Sequence, residues 1–423
     1  MTHKERILLA ARGQMPDLLP YVPRFDLWYR SNKFRGTLPV SYRDKTPEQI
    51  AASEGWALHK VVPELLEVER HEDNLYRALG LYGLKECGYG IRFSREVEVR
   101  AVRSQDSLLV EYHTPKGVIS TREVVTEEMR AAGATITWVE ERAIKGAEDY
   151  DRLAYPFEQV EVVPQYERYR RWQREVGDEG VAVLMGSFAA SPMLHIQRDL
   201  LDATRFFYEY HDRQKQMRKL AESLEHVYEQ FLRVVCDSPA EIVLWGANYD
   251  DMITYPPYFE KEILPWLRKA SRALEDKGKL LICHCDGENR GLMDLIRDSG
   301  IHVAEAVCPS PMTKVPIEEY YRRWGERLTI WGGIPPKHAP GRDGLGGGVR
   351  GIPGSFLQGS GPWPKAHSGD SRHHSSRRRL RQAEALGGGG GQAGAPSPGG
   401  RRLQAHFPGA DGPHHPGGGP PSP

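Results

Sequence analysis

The sequence has no long apolar run. Nothing in it approaches the roughly 20 residues that a membrane span needs, so no transmembrane helix is expected. It also lacks a G-x-G-x-x-G turn behind any apolar, strand-like stretch. That removes the best support for an open dinucleotide-binding sheet. Cysteine is scarce, at five in 423 residues. The count is odd, and Cys87, Cys236, Cys283, Cys285 and Cys308 are spaced without a ladder. Nothing in that pattern points to a disulfide framework, and reduced thiols in a cytoplasm are the expectation. Net charge is missing too, at formally zero. The opening "MTHKERILLAARG" is not a signal peptide. Its apolar Ile7, Leu8 and Ala11 fall at helical spacing among charges, and Thr2 with Glu5 forms a capping box.

The zero net charge hides two different polymers. Residues 1–336 are acidic and carry most of the carboxylates. That acidic body gives no reason to expect a nucleic-acid partner. From Lys337 the chain is basic and holds about half of its glycines, in runs such as "ALGGGGGQAGAPSPGG". Such a composition cannot bury enough apolar area to offset chain entropy, so residues 337–423 are expected to be disordered.

Inside the body, "YVPRFDLWYR" reads as a first strand, with Arg24 and Asp26 on one side and Phe25 and Leu27 on the other. Residues 47–85 read as helical. About 88–125 reads as an inserted antiparallel β meander. Beyond residue 180 a regular rhythm sets in. The apolar runs "VAVLMGSF", "EIVLWGAN", "KLLICHCDG", "IHVAEAVC" and "RLTIWGGIP" alternate with helical stretches. This is the pattern of parallel strands covered by helices, and by itself it leaves a closed barrel and an open sheet both standing.

Residues near the C-terminal ends of such strands carry the chemistry in a barrel. In "LLICHCDG" alternation puts Ile282, His284 and Asp286 on one side and Leu281, Cys283 and Cys285 on the other. His284 and Asp286 then face the mouth, while the two thiols pack as small hydrophobes under helices. Asn248, Asp250 and Asp251 follow the "EIVLWGAN" run, where loop carboxylates can orient or protonate a substrate. Glu305 sits inside "HVAEAVC", a costly place for an unpaired carboxylate, which marks it as a site residue or half of an ion pair. Arg24 and Asp26 complete the set. The Gly332-Gly333 pair reads as a plain turn.

On these residues the chain resembles the uroporphyrinogen decarboxylase superfamily, taken broadly to include the corrinoid-dependent methyltransferases. The resemblance runs from about Thr2 to Pro336. It rests on "THKERILLAARGQMPDLLPYVP", "GVAVLMGSFAASP", "DDMITYPPYFEKEILPWLRKA", "HCDGEN", "AEAVCPSPMT" and "RLTIWGGIP". It implies one (β/α)8 barrel over 1–336, with the site at its C-terminal mouth. It further implies catalytic roles for Asp250, Asp251 and Glu305, and substrate contacts for Arg24, Asp26 and Asn248. The decarboxylase branch binds tetrapyrrole acetates and propionates through an early Arg-rich motif. Here that region reads "PRFDLWYRSNKFRG", with Arg24, Arg30 and Arg35 but not the motif. The methyltransferase branch carries an H-x-C zinc motif on the "LLICHCDG" strand. His284 matches its histidine, and Asp286 stands where its cysteine would fall. Zinc on His284 and Asp286, with a corrinoid or corrinoid protein as methyl donor and a thiol as acceptor, is the first expectation. Cofactor-free decarboxylation of uroporphyrinogen-type acetates is the second. A truncated, non-functional barrel is the third.

The third expectation comes from the tail. A (β/α)8 barrel still needs its last strand after "RLTIWGGIP", and instead the chain turns Gly/Pro/Arg-rich. Reading one base later from Leu345, permissible codons yield an acidic-capped helix, a Pro-Gly turn and an apolar strand. The tail is therefore expected to be a frame-shifted stretch, and the basic run Arg372–Arg381 no nucleic-acid arm. Resequencing the gene around codon 336 tests this.

Overall fold

A computed structural model describes residues 1–64, 74–131, 137–325 and 327–333, and the backbone of 355–358. The chain divides into two units, Met1–Trp363 and Pro364–Pro423, and every described residue lies in the first.

The fold is α/β. Six strands run parallel: β1 (Leu58–Val62), then β8 (Gly180–Ser187), β9 (Ile242–Ala247), β10 (Leu280–His284), β11 (Val303–Val307) and β12 (Thr329–Gly333), paired in that order. The sheet is curled. The His59 ring on β1 lies 4.5 Å from the Trp331 ring on β12, although four strands separate them in the sheet. The described residues thus hold six parallel strands of the eight that the barrel expectation requires. A short strand, β13 (Ser355–Gln358), pairs antiparallel with β12. The edge of β12 offers unpaired backbone groups, and "SFLQ" is an apolar, β-prone island in a Gly/Pro-rich stretch. The rest of 337–423, and with it the proposed frame shift, lies outside the described residues.

Strand alternation builds two cores. Val181, Val183 and Met185, with Ile242, Leu244, Leu280, Ile282, Val303 and Trp331, fill the inside of the curl. The first helix, α1 (His3–Ala11), closes one end with Ile7, Leu8, Ala10 and Ala11. Its capping box of Thr2 and Glu5 is present, and Thr329 Oγ1 donates to Ala10 O at 2.8 Å. The intervening residues, among them Leu184, Val243, Leu281, Cys283 and Ala304, pack outward under helices such as Gln214–Asp237 and Leu264–Glu275. Each fully buried aliphatic side chain contributes about 1.5–3 kcal/mol.

Three elements differ from the sequence reading. Tyr21–Arg30 is not a strand. Pro20 and Pro23 interrupt any ladder, and the chain enters a helix, α2 (Asp26–Arg35), that ends at left-handed Gly36. The i,i+4 pair Phe25 and Tyr29 packs with Leu38, Tyr42, Ile50 and Trp56. That helical spacing overrode the short alternation. Second, 47–85 is not one helix. Helix α3 (Pro47–Glu54) stops at left-handed Gly55, and the β-branched "LHKVV" then supplies β1. Third, the meander is β3 (Glu98–Arg103), β4 (Ser107–Thr114), β5 (Gly117–Val124) and β6 (Trp138–Glu141). The strand β2 (Gly88–Phe93) leaves it to pair with β7 (Val160–Gln165).

Gly332 also differs from the plain turn expected. It lies within β12 at φ 146°, and an added Cβ would come within 2.6 Å of the Val307 nitrogen. Only glycine lets β12 approach the irregular end of β11 that closely.

Candidate active site

The C-terminal ends of β8 to β12 are distorted in one consistent way. The register shifts between Met185 and Ser187, between Ile282 and His284, and between Glu305 and Val307. Asn248 and Ala306 adopt positive φ of 59° and 60°. Such bulges and strained residues collect beside active sites, where they re-aim side chains. Turns of π-helix at Ile196–Leu200 and Phe259–Ile263 follow β8 and β9.

His284, the last residue of β10, is the register partner of Glu305 on β11. Glu305 is 2 % exposed. Its Oε2 is in close contact with His284 Nδ1, and its Oε1 accepts from Arg24 Nη1 at 3.3 Å. That same Arg24 nitrogen stands 3.2 Å from His284 Nδ1. The other ring nitrogen, Nε2, lies 3.6 Å from Asp286 Oδ2, a carboxylate half-exposed at the rim. Burial opposes charge on His284, but Glu305 and Asp286 outweigh it and push its pKa up to about 9. Burial likewise opposes charge on Glu305, but His284 and Arg24 hold it well below the usual carboxylate range. At neutral pH the pair is imidazolium and carboxylate.

Cys283 and Cys285 are fully buried on the opposite face, with Cys283 Sγ 3.1 Å from the Tyr249 hydroxyl. This is the arrangement that alternation predicts. Asp26 opens the first turn of α2 and is exposed. Desolvation by the protein around it raises its pKa, against the pull of Arg24, Lys60 and Arg30.

The two loop aspartates accept hydrogen bonds from backbone amides. Asp250 Oδ1 accepts from Met252 N at 2.9 Å, and Oδ2 from Glu288 N at 3.4 Å. Asp251 Oδ2 accepts from Gly291 N at 2.9 Å. They tie the loop after β9 to the loop after β10. Among the described residues no hydrogen bond or ion pair links them to His284 or Glu305. Asn248 acts through its backbone, donating to the His284 carbonyl at 2.9 Å.

Two residues were not anticipated. Cys308, just past β11, is half-buried; burial, with Asp286 and Glu305 nearby, pushes its thiol up to about 11. His59 on β1 faces inward, 8 % exposed, with its ring tilted 41° against that of Trp331. Trp331 is in turn the register partner of Glu305. Burial pushes His59 down to about 4, despite attraction to Glu305. The signal available in the sequence is a histidine within the β-branched "LHKVV".

Among the described residues no three His, Cys, Asp or Glu side chains form a group that could hold a metal ion. The two proposed zinc donors, His284 and Asp286, do face each other. A separate hollow of about 300 Å³ lies at the opposite ends of the strands, beside Arg12, Lys279 and His302. No described helix is long and apolar enough to cross a membrane.

The chain matches no family profile and no curated protein. Among solved structures it is similar to a methyltransferase from Methanosarcina mazei. The TM-score is 0.41 at 12% identity, over 78% of this chain and 82% of that one.

Proposed function

We propose that the chain is a methyl-transferring enzyme of the broad uroporphyrinogen decarboxylase type that its sequence resembles, working at the C-terminal ends of its parallel strands. One observation carries this reading: Glu305 occupies Nδ1 of His284 and leaves Nε2 beside Asp286. A carboxylate behind an imidazole is the usual outer support of a metal-ligating histidine. His284 Nε2 and Asp286 would hold zinc, with open positions for substrate. Bound zinc would supply a Lewis acid that lowers the pKa of an acceptor thiol. A corrinoid, free or on a corrinoid protein, would be the methyl donor. Arg24 would hold an anionic group of the substrate. Asp286 in place of a cysteine makes the site less selective for thiols than an H-x-C site.

The test is zinc binding followed by proton release and elemental analysis. One zinc per chain is expected, binding more tightly as pH rises toward 9, because the metal must displace the His284 proton. His284→Ala and Asp286→Ala should abolish it. Glu305→Gln should weaken it by roughly 10–100-fold. Zinc binding unaffected by these changes would refute the site.

A second reading has its own support, the raised pKa of His284. An imidazolium beside Arg24 suits cofactor-free decarboxylation. The substrate carboxylate would leave as CO2, and the carbon that keeps the electron pair would take a proton from His284. Chelator-resistant CO2 release from a uroporphyrinogen-type acetate would favour it over methyl transfer.

A further inference from the structure

His59 and Trp331 are the strangest pair inside the curl. Trp331 is wholly buried and His59 nearly so, yet among the described residues neither His59 ring nitrogen nor Trp331 Nε1 has a hydrogen-bond partner. Buried polar atoms in native proteins are almost always satisfied, so three orphans on two touching rings require an account. Packing does not supply one, since phenylalanine at either position would fill the space without stranding a polar atom. The rings belong to the layer of the candidate site, because Trp331 is the register partner of Glu305 and His59 lies against Trp331.

We propose that His59 and Trp331 form a subsite for an uncharged hydroxyl group of the substrate, at the inner end of the site built on His284 and Glu305. The proposal rests on the reading that small-molecule chemistry takes place there. The donor inventory selects the group. Trp331 Nε1 only donates, and a neutral imidazole offers one donor and one acceptor. A hydroxyl oxygen can accept from the indole while its proton goes to the imidazole. An ammonium cannot accept from the indole. A carboxylate would add a second negative charge beside Glu305, in surroundings that already keep His59 neutral. His59 retains 8 % of its surface while Trp331 retains none, so a ligand would enter from the His59 side.

The test uses the full chain labelled with 15N in histidine rings and tryptophan indoles, titrated separately with ethylene glycol, acetate and ethylammonium. His59→Phe and Trp331→Phe assign the signals. Ethylene glycol is expected to shift both the His59 ring nitrogens and the Trp331 indole saturably. The charged solutes should give under one-fifth of that shift. In Trp331→Phe the His59 midpoint should rise at least fivefold. The proposal is overturned if no solute moves either signal, if a charged solute moves them as strongly, or if His59→Phe leaves the Trp331 titration unchanged. The wild-type titration decides the matter even where a variant fails to fold. None of these readouts needs turnover or zinc, so failure of the methyl-transfer reading would show in the zinc experiment and not here.

Discussion

The two inward-facing histidines of the curled sheet share the same burial and are nonetheless displaced in opposite directions. His284 meets a buried carboxylate across one strand gap and is pushed up to about 9. His59, on the edge strand β1, lies tilted against an indole and is pushed down to about 4. Glu305 attracts both, but it is in contact only with His284. Burial by itself therefore does not set the charge of an interior histidine. What decides it is whether a carboxylate arrives at hydrogen-bonding distance, and here register on neighbouring strands decides that. One side of the layer is densely paired and charged, and the other is neutral and under-paired. The first suits chemistry and the second suits recognition.

Removing Glu305 should break this contrast with the largest effect. Glu305→Gln keeps the shape but leaves the His284 imidazolium and Arg24 without their buried counter-charge. Breaking a buried pair from one side costs about 3–5 kcal/mol. The loss is read from urea unfolding near neutral pH. His284 should titrate lower in the same variant, by NMR. A variant as stable as the parent, with His284 unmoved, would mean that the ion cluster does not hold the strand ends together.

The pH dependence of stability should show the contrast directly. The folded pKa of His284 is raised above the ordinary 6.5, so its contribution is complete below pH 6.5 and is lost as pH rises to about 9. The folded pKa of His59 is depressed, so its contribution is present above pH 6.5 and is lost as pH falls to about 4. Glu305, held low, adds to the acid limb below its ordinary 4.5. Stability should peak near pH 6.5 and fall on both sides, with slopes of about 1 kcal/mol per pH unit for each group. A monotonic profile from pH 4 to 9 would contradict at least one assignment.

How much of this was legible in the sequence depends on how local the deciding interaction is. The strands from Gly180 onward were legible because each is a near-continuous apolar run, and the sides of His284 and Cys283 followed from alternation alone. The partner of Glu305 was not legible, because it depends on register between strands about 20 residues apart. The first strand was misplaced for a different reason. "YVPRFDLWYR" alternates, but Pro23, with Pro20 just before it, and an i,i+4 aromatic pair outweigh alternation over so short a stretch. That error concealed His59, whose meaning appears only when β1 and β12 meet across the curl. Asp250 and Asp251 were placed at the correct ends of the strands, but paired acids in a loop look the same in sequence whether they bind substrate or cap backbone amides.

His59→Phe should act in the opposite sense to Glu305→Gln. Removing a buried imidazole that has no partner among the described residues relieves a desolvation penalty of about 1–3 kcal/mol, so a gain of about 1 kcal/mol is expected after imperfect repacking. Thermal unfolding at pH 6.5 measures it. The acid limb of the stability profile should also flatten, while the alkaline limb from His284 stays. A loss of stability, with the acid limb intact, would show that His59 has partners in solution and that the under-paired side of the layer is satisfied after all.

The smallest effect is expected at Asp251, and it tests the boundary of the charged region. Asp251→Ala gives up one hydrogen bond, from Gly291 N at 2.9 Å, at a surface loop. That should cost about 1 kcal/mol. Asp251 has no contact with His284 or Glu305 among the described residues, so the His284 titration and any zinc binding should be unchanged. The same holds for Asp250→Asn, whose remaining amide oxygen can still accept from Met252 N. Zinc binding lost in Asp251→Ala, or a His284 pKa that moves toward 6.5, would return the loop carboxylates to the reacting centre. The contrast between the two histidines would then have to include a third charged neighbour, reached by movement of the loop after β9.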